Sequence, residues 1–264
     1  MAALLAVERA TLGDIPYSLE TVLGVIQRDE HHGYVARSHG HIVGFCSCFE
    51  TASDAGTRLE IDLLGVVASH RRRGMATAMI RTCICDALAR GTRRFRAVVA
   101  EGNIASKSAF HRAGLTAAAP PHTLLILDTQ ATAPIVALPG NWSWQFSREG
   151  HIRALLPNTA FSADGHGKEV HWISGPRQQV SAIATCLRVS TIAYEGVWIE
   201  DMVGNEPQAI TALGIALGRY GRQPRVSRIG YLMPSSDSRE HLDALLSAGY
   251  RRIGAYVVLE AEAP

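Results

Sequence analysis

The sequence predicts a chain of the α/β (α+β) class with two tandem domains, and two observations carry that prediction. An apolar strand pattern, Leu59–Val67, runs into an arginine-rich turn, Arg71–Gly74, and then into a helix pattern from residue 75 to about residue 90. A similar order of strands and helices recurs near the end of the chain. The interval from Gly74 to Gly114 is 40 residues and that from Pro207 to Gly249 is 42. We interpret the match as an internal duplication.

The turn between the first strand and helix has the character of an anion site. Arg71, Arg72 and Arg73 stand directly before a helix whose first-turn amides lack acceptors and lie at the positive end of the helix dipole. Gly74 lets the backbone approach a phosphate closely. A solvated arginine cluster is the alternative, but the position favours phosphate. Neither GxxxxGK[ST] nor GxGxxG is present.

The spacing Arg71-x-x-Gly74-x-Ala76, which follows a strand ending in Val66-Val67, resembles the pyrophosphate loop of the GNAT superfamily of N-acyltransferases. About thirty residues later, Asn103-x-x-Ser106 opens a second helix that resembles the superfamily's next motif. The resemblance implies two tandem GNAT-like domains, each with a mixed, mostly antiparallel twisted sheet flanked by helices. It also implies that acetyl-CoA or another acyl-CoA binds through Val66, Val67, Arg71, Arg72, Arg73, Gly74, Met75, Ala76, Asn103, Ser106 and Phe110.

The resemblance also suggests catalytic residues. Strand alternation places Glu60 and Asp62 on one face of an apolar strand, which is costly unless that face opens on a polar pocket. The match carries the general base to Glu60, with Asp62 as the second choice and pairing with an arginine as the alternative for either. His111 is the candidate acid for the leaving thiolate, and a surface histidine is its alternative. Asn103 has two candidate roles, helix capping and a hydrogen bond to the pantetheine arm.

The predicted domain bounds are 1–130 for the acyl-CoA-binding catalytic domain, 131–150 for a linker rich in Pro, Ala and Gly, and 151–264 for a degenerate copy. At the position that corresponds to the arginine-rich turn, the copy has Gly204-Asn205-Glu206-Pro207. A carboxylate at Glu206 repels phosphate, and Pro207 lacks an N–H donor. The second domain is therefore expected to be structural or to bind the acceptor.

Several other segments receive predictions from their local patterns. We expect a strand at residues 3–11, a hairpin across residues 38–40, a strand at residues 154–163 and a helix at residues 178–188. The resemblance implies that the early helical region borders the acceptor site, so Tyr17, Glu20 and Asp29 are candidate acceptor contacts, with ordinary surface polarity as the alternative for each. The pairs Cys46/Cys48 and Cys83/Cys85 lack the CxxC spacing of zinc sites, so we predict packed or surface thiols and no metal.

The predicted function is an N-acyltransferase that moves an acetyl or longer acyl group from acyl-CoA to a primary amine of a small molecule or peptide. The alternative is a non-catalytic module that senses CoA or an acyl carrier. A net charge of +2 argues against nucleic acid as partner, and no apolar run reaches the length of a membrane span. Five cysteines, an odd number, favour a reducing, cytoplasmic setting. We expect a monomer or homodimer.

Overall fold

The computed structural model of the chain describes residues 2–13, 18–53, 56–117, 119–129, 138, 142–148, 168–175, 178–222 and 226–263. The chain divides into two compact units. Unit 1 comprises Met1–Pro120, Thr191–Ala193 and Tyr256–Pro264, and unit 2 comprises Pro121–Ser190 and Tyr194–Ala255. These units interleave along the chain, whereas the predicted domain segments are contiguous, and the predicted bounds remain a prediction.

Unit 1 is a mixed sheet with helices. Its elements are α1 Ala2–Leu12, α2 Leu19–Ile26, β1 His31–Ser38, β2 His41–Ser53, β3 Gly56–Val66, α3 Met75–Ala89, β4 Arg94–Ala100, α4 Ile104–Ala113 and β5 Thr116–Ala117. A short 3-10 turn, Ala68–His70, separates β3 from α3. The final strand, β12 Arg251–Glu262, contributes its residues 256–262 to unit 1 by pairing with β4. The strand order is β1-β2-β3-β4-β12, with β5 also on β12, and β3 and β4 are parallel while the other pairs are antiparallel.

Unit 2 repeats this plan. Its elements are β6 His122–Asp128, β7 Ser143–Ser147, β8 Glu169–Ser174, β9 Val180–Ser190, β10 Glu195–Gly204, α5 Pro207–Tyr220, β11 Arg228–Met233 and α6 Arg239–Ser247. The strand order is β6-β11-β10-β9-β8-β7, in which β10 and β11 are parallel and the other pairs antiparallel. The helix α5 packs into the core of this unit with nine buried residues, and Pro207 occupies its first turn, where a missing N–H costs nothing.

The two units share a detail that supports the duplication. Each has one extra residue in the strand before its first crossover helix, and this residue lies opposite no partner. In β3 the register passes from Ile61 to Leu63, and in β10 it passes from Ile199 to Asp201. The bulge residues are therefore Asp62 and Glu200, both carboxylates. A matched bulge with a matched acid is a stronger sign of duplication than spacing alone.

Two predicted elements are wrong. Residues 3–11 lie in the helix α1, because Ala and Leu dominate the segment and favour helix, and no polar alternation opposes it. Residues 178–188 contribute to the strand β9, in which six consecutive residues from Ala182 to Leu187 are buried. A short apolar run buried on both faces has no periodicity that separates strand from helix. The predicted strand at residues 154–163 lies outside the described residues.

The predicted hairpin and the predicted Asn103 cap of α4 are confirmed. His39 and Gly40 turn the hairpin with φ values of 48° and 81°, both in the left-handed region. Asn103 Oδ1 accepts a hydrogen bond from the Ser106 amide at 3.1 Å, and Gly114 ends α4 with φ 101°.

The cysteines are all free thiols. Cys46, Cys48, Cys83 and Cys186 are buried, whereas Cys85 is exposed. Among the described residues, no group of three or more His, Cys, Asp or Glu side chains is placed to hold a metal ion. In the same part of the chain, no helix has the length and apolar character needed to cross a membrane.

A buried carboxylate fixes one side of unit 2. Glu169 Oε2 accepts a hydrogen bond from the Tyr220 hydroxyl at 2.6 Å, and Glu169 Oε1 accepts one from Arg188 Nε at 3.2 Å. His171 Nε2 lies 3.4 Å from Glu169 Oε2. Burial raises the pKa of Glu169, but the hydrogen bonds from His171, Tyr220 and Arg188 outweigh it and lower the pKa to about 2.

We expect Glu169→Gln to lower the free energy of unfolding of unit 2 by about 3 kcal/mol at pH 7, because it leaves buried donors without their anion. A carboxylate with a lowered pKa stabilises the fold above its ordinary pKa, and that contribution disappears as the pH falls toward 2. The gap between the two proteins should therefore close with acid. All four tryptophans lie in unit 2, so their fluorescence during urea denaturation reports this unit.

Glu195→Gln is the matched control, because Glu195 is exposed in the same unit and its replacement should change stability by less than about 0.5 kcal/mol. A pH-independent difference between Glu169→Gln and the unsubstituted protein would refute the assigned role of this carboxylate.

Candidate active site

The centre of unit 1 is a place where two parallel strands separate. β3 pairs with β4 only over Arg58–Glu60, while its pairing with β2 continues to Val66. The part of β3 beyond Glu60 therefore has β2 on one side, and the other side has lost its partner β4. Such a split leaves main-chain N–H and C=O groups for a ligand.

The direction of these main-chain groups follows from one hydrogen bond. The Val67 N–H donates to the Val43 carbonyl at 2.9 Å, and Val66 lies opposite Gly44. Hydrogen-bonded and non-hydrogen-bonded pairs alternate in an antiparallel ladder. The N–H groups of Val66 and Leu64 therefore point away from β2, toward the side from which β4 has diverged. Of the two valines predicted to bind acyl-CoA, Val66 has an N–H that points to this side, whereas the N–H of Val67 is bonded to Val43.

A cavity of about 490 Å³ lies where β3, the arginine turn, α3, α4 and the end of α1 meet. Its lining contains Leu64, Gly65 and Val66 of β3, the turn and first residues of α3, and one face of α4. The charged or titratable side chains of the described lining are His70, Arg71, Arg72 and Arg112, with no carboxylate among them. The cavity therefore suits an anionic ligand.

The turn at the mouth of this cavity has the backbone form of an anion cradle. Arg72 and Gly74 both have left-handed backbone, with φ values of 60° and 79°. Met75 begins α3, and the Ala78 N–H is the first to reach back, donating to the Gly74 carbonyl at 2.9 Å. The N–H groups of Met75, Ala76 and Thr77 therefore precede the first intrahelical bond and line the cavity entrance.

The three arginines of the turn are not equivalent. All three are exposed, but Arg71 and Arg72 line the cavity and Arg73 is absent from the described lining. Arg71 Nε also donates to the Val66 carbonyl at 2.9 Å, which holds this guanidinium over the end of β3.

The helix α4 presents one face to the cavity. Asn103, Ala105, Ser106, Ser108, Ala109 and Arg112 line it, which is the spacing of one helical stripe. Asn103 uses its Oδ1 to cap the helix, so its NH₂ group is the part that can donate to a ligand. Two bonds tie α3 to α4: Thr77 Oγ1 donates to the Ala109 carbonyl at 3.4 Å, and Arg81 Nη2 donates to the Arg112 carbonyl at 2.6 Å.

Two predicted residues of α4 point elsewhere. Phe110 is buried in the core of unit 1 and does not line the cavity. His111 is exposed and also absent from the lining. At 100° per residue, His111 lies roughly 130° around the helix from the middle of the lining stripe.

Glu60 is an ion-pairing residue in this structure. It is 7% exposed, and its Oε1 accepts a hydrogen bond from Arg58 Nε at 2.6 Å. Arg96, its register partner on β4, donates to both carboxylate oxygens at 2.9 Å. Arg96 thereby joins β4 to β3 at the last paired position before the strands separate, while Arg58 pairs with Glu60 within β3. The alternative stated for Glu60, pairing with an arginine, describes its contacts.

Asp62, the second choice, is absent from the described lining of the cavity but has a raised pKa. Its surface is open to solvent, yet the protein around it limits hydration of the charged form, and this desolvation raises the pKa of Asp62 to about 6. A hydrogen bond with Thr191 opposes the rise, and the nearby charge of Glu60 adds to it. The next residue, Leu63, packs against the buried cluster of Val22, Val25 and Ile192.

The structure describes two of the three candidate acceptor contacts. Glu20 is exposed in the first turn of α2, Asp29 is exposed in the turn between α2 and β1, and Tyr17 lies outside the described residues. Sequence reasoning missed Leu64, His70, Ser108 and Arg112. The α4 stripe could have been found from the helical spacing after Asn103, but the role of Leu64 depends on the register of β3 against β2.

A protein-family model matches the part of the chain that contains this cavity. Residues 6–115 match the family model described as "Acetyltransferase (GNAT) family". The comparison with curated proteins found no similar sequence.

Solved structures resemble the whole chain. A tandem GNAT protein from the clavulanic acid biosynthesis pathway is 15% identical with a TM-score of 0.56, covering 100% of this chain and 95% of that one. A GCN5-related N-acetyltransferase from Sphaerobacter thermophilus is 13% identical with a TM-score of 0.59, over 98% and 91% of the two chains. A fungal glucosamine N-acetyltransferase region is 15% identical with a TM-score of 0.60, over 98% of this chain and 36% of the multi-domain protein.

These comparisons confirm the predicted fold, two tandem GNAT-like domains with mixed, mostly antiparallel sheets and flanking helices. The family match covers residues 6–115, which lie in unit 1, and the solved structures, at 13–15% identity, show the fold alone.

The contacts of Glu60 lead to a stability prediction. We expect Glu60→Gln to lower the free energy of unfolding by about 3 kcal/mol, because two partly buried guanidiniums lose the carboxylate that they share. Asp62→Asn should be neutral or stabilising at pH 7, because the fold raises the pKa of Asp62 and so disfavours its charged form. Urea denaturation followed by far-ultraviolet circular dichroism measures both. Equal losses for the two variants would contradict the different roles assigned to these carboxylates.

Proposed function

We propose that unit 1 is an N-acyltransferase that moves an acetyl or longer acyl group from acyl-CoA to a primary amine by direct attack in a ternary complex. The observation that carries the proposal is the cationic cavity at the start of α3, which continues into the gap where β3 has separated from β4. This pairing of an anion site with free strand amides suits a ligand that has phosphates at one end and a polar, extended arm at the other.

In this proposal the diphosphate lies against Arg71, Arg72 and the first-turn amides of α3. Charge-assisted hydrogen bonds from guanidinium and amide donors fix its position, and the helix dipole adds to the attraction. The pantetheine arm then extends along β3, where the Val66 N–H and the NH₂ group of Asn103 are donors facing the cavity. Unit 2 has Glu206 at the corresponding helix start, exposed and without a capping bond, and is proposed not to bind the phosphates.

The Leu64 N–H is proposed to polarise the thioester carbonyl. It points toward the gap, and it lies two residues from Asp62, about 7 Å along an extended strand. A main-chain donor in this position stabilises the oxyanion that develops when the amine attacks, without moving during the reaction. This assignment keeps Val66 from the predicted pair and replaces Val67 with Leu64, because the Val67 N–H is occupied by Val43.

Asp62 is proposed as the general base, in place of Glu60. A pKa of about 6 leaves Asp62 ionised at neutral pH and close enough to neutrality to accept a proton readily. As the amine nitrogen bonds to the acyl carbon and the carbon–sulfur bond breaks, the amine proton passes to Asp62 directly or through one water. Glu60 is committed to Arg58 and Arg96 and is proposed to hold the strands.

The leaving thiolate is proposed to take its proton from solvent. His111, the acid suggested by the sequence, is exposed and outside the described lining of the cavity. An alkyl thiol has a pKa of about 8.5 and leaves as a thiolate without obligatory protonation.

The same observation about His111 favours one second candidate, a CoA-binding module without catalysis. It predicts acyl-CoA binding at the same cavity and no acyl transfer to any amine.

We expect the rate of acyl transfer to rise with pH through an apparent pKa near 6, because the ionised form of Asp62 is the active one. Asp62→Asn should lower kcat by about 100-fold and abolish this rising limb of the pH–rate profile. The KM for acyl-CoA should stay within a few-fold of its original value. Release of free thiol with acetyl-CoA and a panel of amines measures the rate.

Glu60→Gln is the matched comparison, because it removes a neighbouring carboxylate on the same strand. Where it remains folded, its profile should retain the limb. If Glu60→Gln abolishes the limb and Asp62→Asn retains it, the base is Glu60, and if no amine is acylated, the binding module is the better account.

A further inference from the structure

A short turn from the second half of the sequence belongs to unit 1. Thr191, Ile192 and Ala193 connect β9 to β10 along the chain, yet they cluster with unit 1. Thr191 is 3% exposed and Ile192 is 4% exposed, so the turn is embedded.

The apolar contacts of this turn place it beside the bulge of β3. Ile192 is in one buried cluster with Val22 and Val25 of α2, and Leu63 packs against the same cluster. Leu63 is the residue that follows Asp62. The buried Thr191, next to Ile192, has a side-chain hydrogen bond with Asp62, and Leu63 beside Asp62 packs against the cluster that contains Ile192.

We propose that Thr191 is a positioning residue for acyl transfer, whose hydroxyl donates a hydrogen bond to the Asp62 carboxylate and orients it toward the amine. The inference rests on the proposed role of Asp62. It assigns a part of the catalytic apparatus to the β9–β10 turn, and it gives the duplicated half a function other than phosphate binding.

The hydroxyl acts on Asp62 in a defined direction. A hydrogen bond donated to a carboxylate favours its charged form, so it holds the pKa of Asp62 below the value that desolvation alone would produce. Without it, Asp62 would be more protonated at neutral pH and free to rotate. Thr191 thereby sets both the orientation of the base and the pH at which it becomes active.

Few other charges act on this position. The elements packed here carry Glu8 and Arg9 on α1, Glu20 on α2, Glu50 on β2 and Glu60 on β3. Arg90 pairs with Glu50, and Arg58 and Arg96 pair with Glu60. Of these carboxylates, Glu60 is the one that raises the pKa of Asp62.

The test compares Thr191→Val, which removes the hydroxyl at similar volume, with Thr191→Ser, which keeps it. In Thr191→Val we expect the limb of the pH–rate profile to move up by about one pH unit, the size expected for losing one hydrogen bond to a charged group. At pH 6 this corresponds to a several-fold lower rate. The KM for acyl-CoA should be unchanged, and Thr191→Ser should restore the original limb.

Ile192→Val controls for the packing of the turn, because it removes one methyl group and leaves the hydroxyl. It should lower the melting temperature without moving the limb. If Ile192→Val moves the limb as far as Thr191→Val does, the effect is structural and the positioning role is refuted.

A titration that needs no turnover separates this inference from the proposed function. The carboxyl carbon of Asp62, identified by its absence in Asp62→Asn, is followed by NMR against pH in the full-length protein and in Thr191→Val. A higher pKa in Thr191→Val supports the contact even if no amine is acylated. Identical titration curves in the two proteins overturn it, even if Asp62 proves to be the base. Should Thr191→Val fail to fold, an Asp62 curve shifted upward in Thr191→Ser overturns the inference, and an unchanged curve supports it.

Discussion

The ion pair between Glu60 and Arg96 decides where unit 1 opens. It joins β3 and β4 at their last paired position, and Arg58 adds a second guanidinium to the same carboxylate. Immediately after it, the bulge at Asp62 shifts the register of β3 against β2. Because the ion pair precedes this shift of register, β3 can continue its pairing with β2 after its pairing with β4 has ended. The free amides of Leu64 and Val66, the cavity and the orientation of Asp62 all depend on this junction.

The duplication shows which parts of this arrangement are separable. Unit 2 keeps the parallel pair, the bulge and a carboxylate at the bulge, Glu200. It has lost the arginine turn, and Glu206 stands directly before its helix. Thr191 and Ile192 follow β9 of unit 2 along the chain, but they are buried and belong to unit 1. Unit 2 thus has the fold without an arginine turn, and the turn that connects β9 to β10 lies in unit 1 beside the candidate base.

The sequence predicted features whose causes are local. The arginine turn, the Asn103 cap and the hairpin at His39-Gly40 depend on residues within a few positions of one another, and the structure contains them. The register of paired strands cannot be predicted from residues that are close in sequence. The engaged amide of Val67, the double pairing of Glu60 and the contact of Thr191 with Asp62 each join residues that only the sheet brings together. The buried strand β9 was read as a helix because burial on both faces erases periodicity.

The most direct test of the account is amide NMR of the full-length protein during titration with acetyl-CoA. The account predicts large shifts for the N–H groups of Leu64, Val66, Met75, Ala76 and Thr77, which face the gap or open α3, and a small one for Val67, whose N–H remains bonded to Val43. Shifts concentrated at the start of α5, or the absence of any shift along β3, would contradict it.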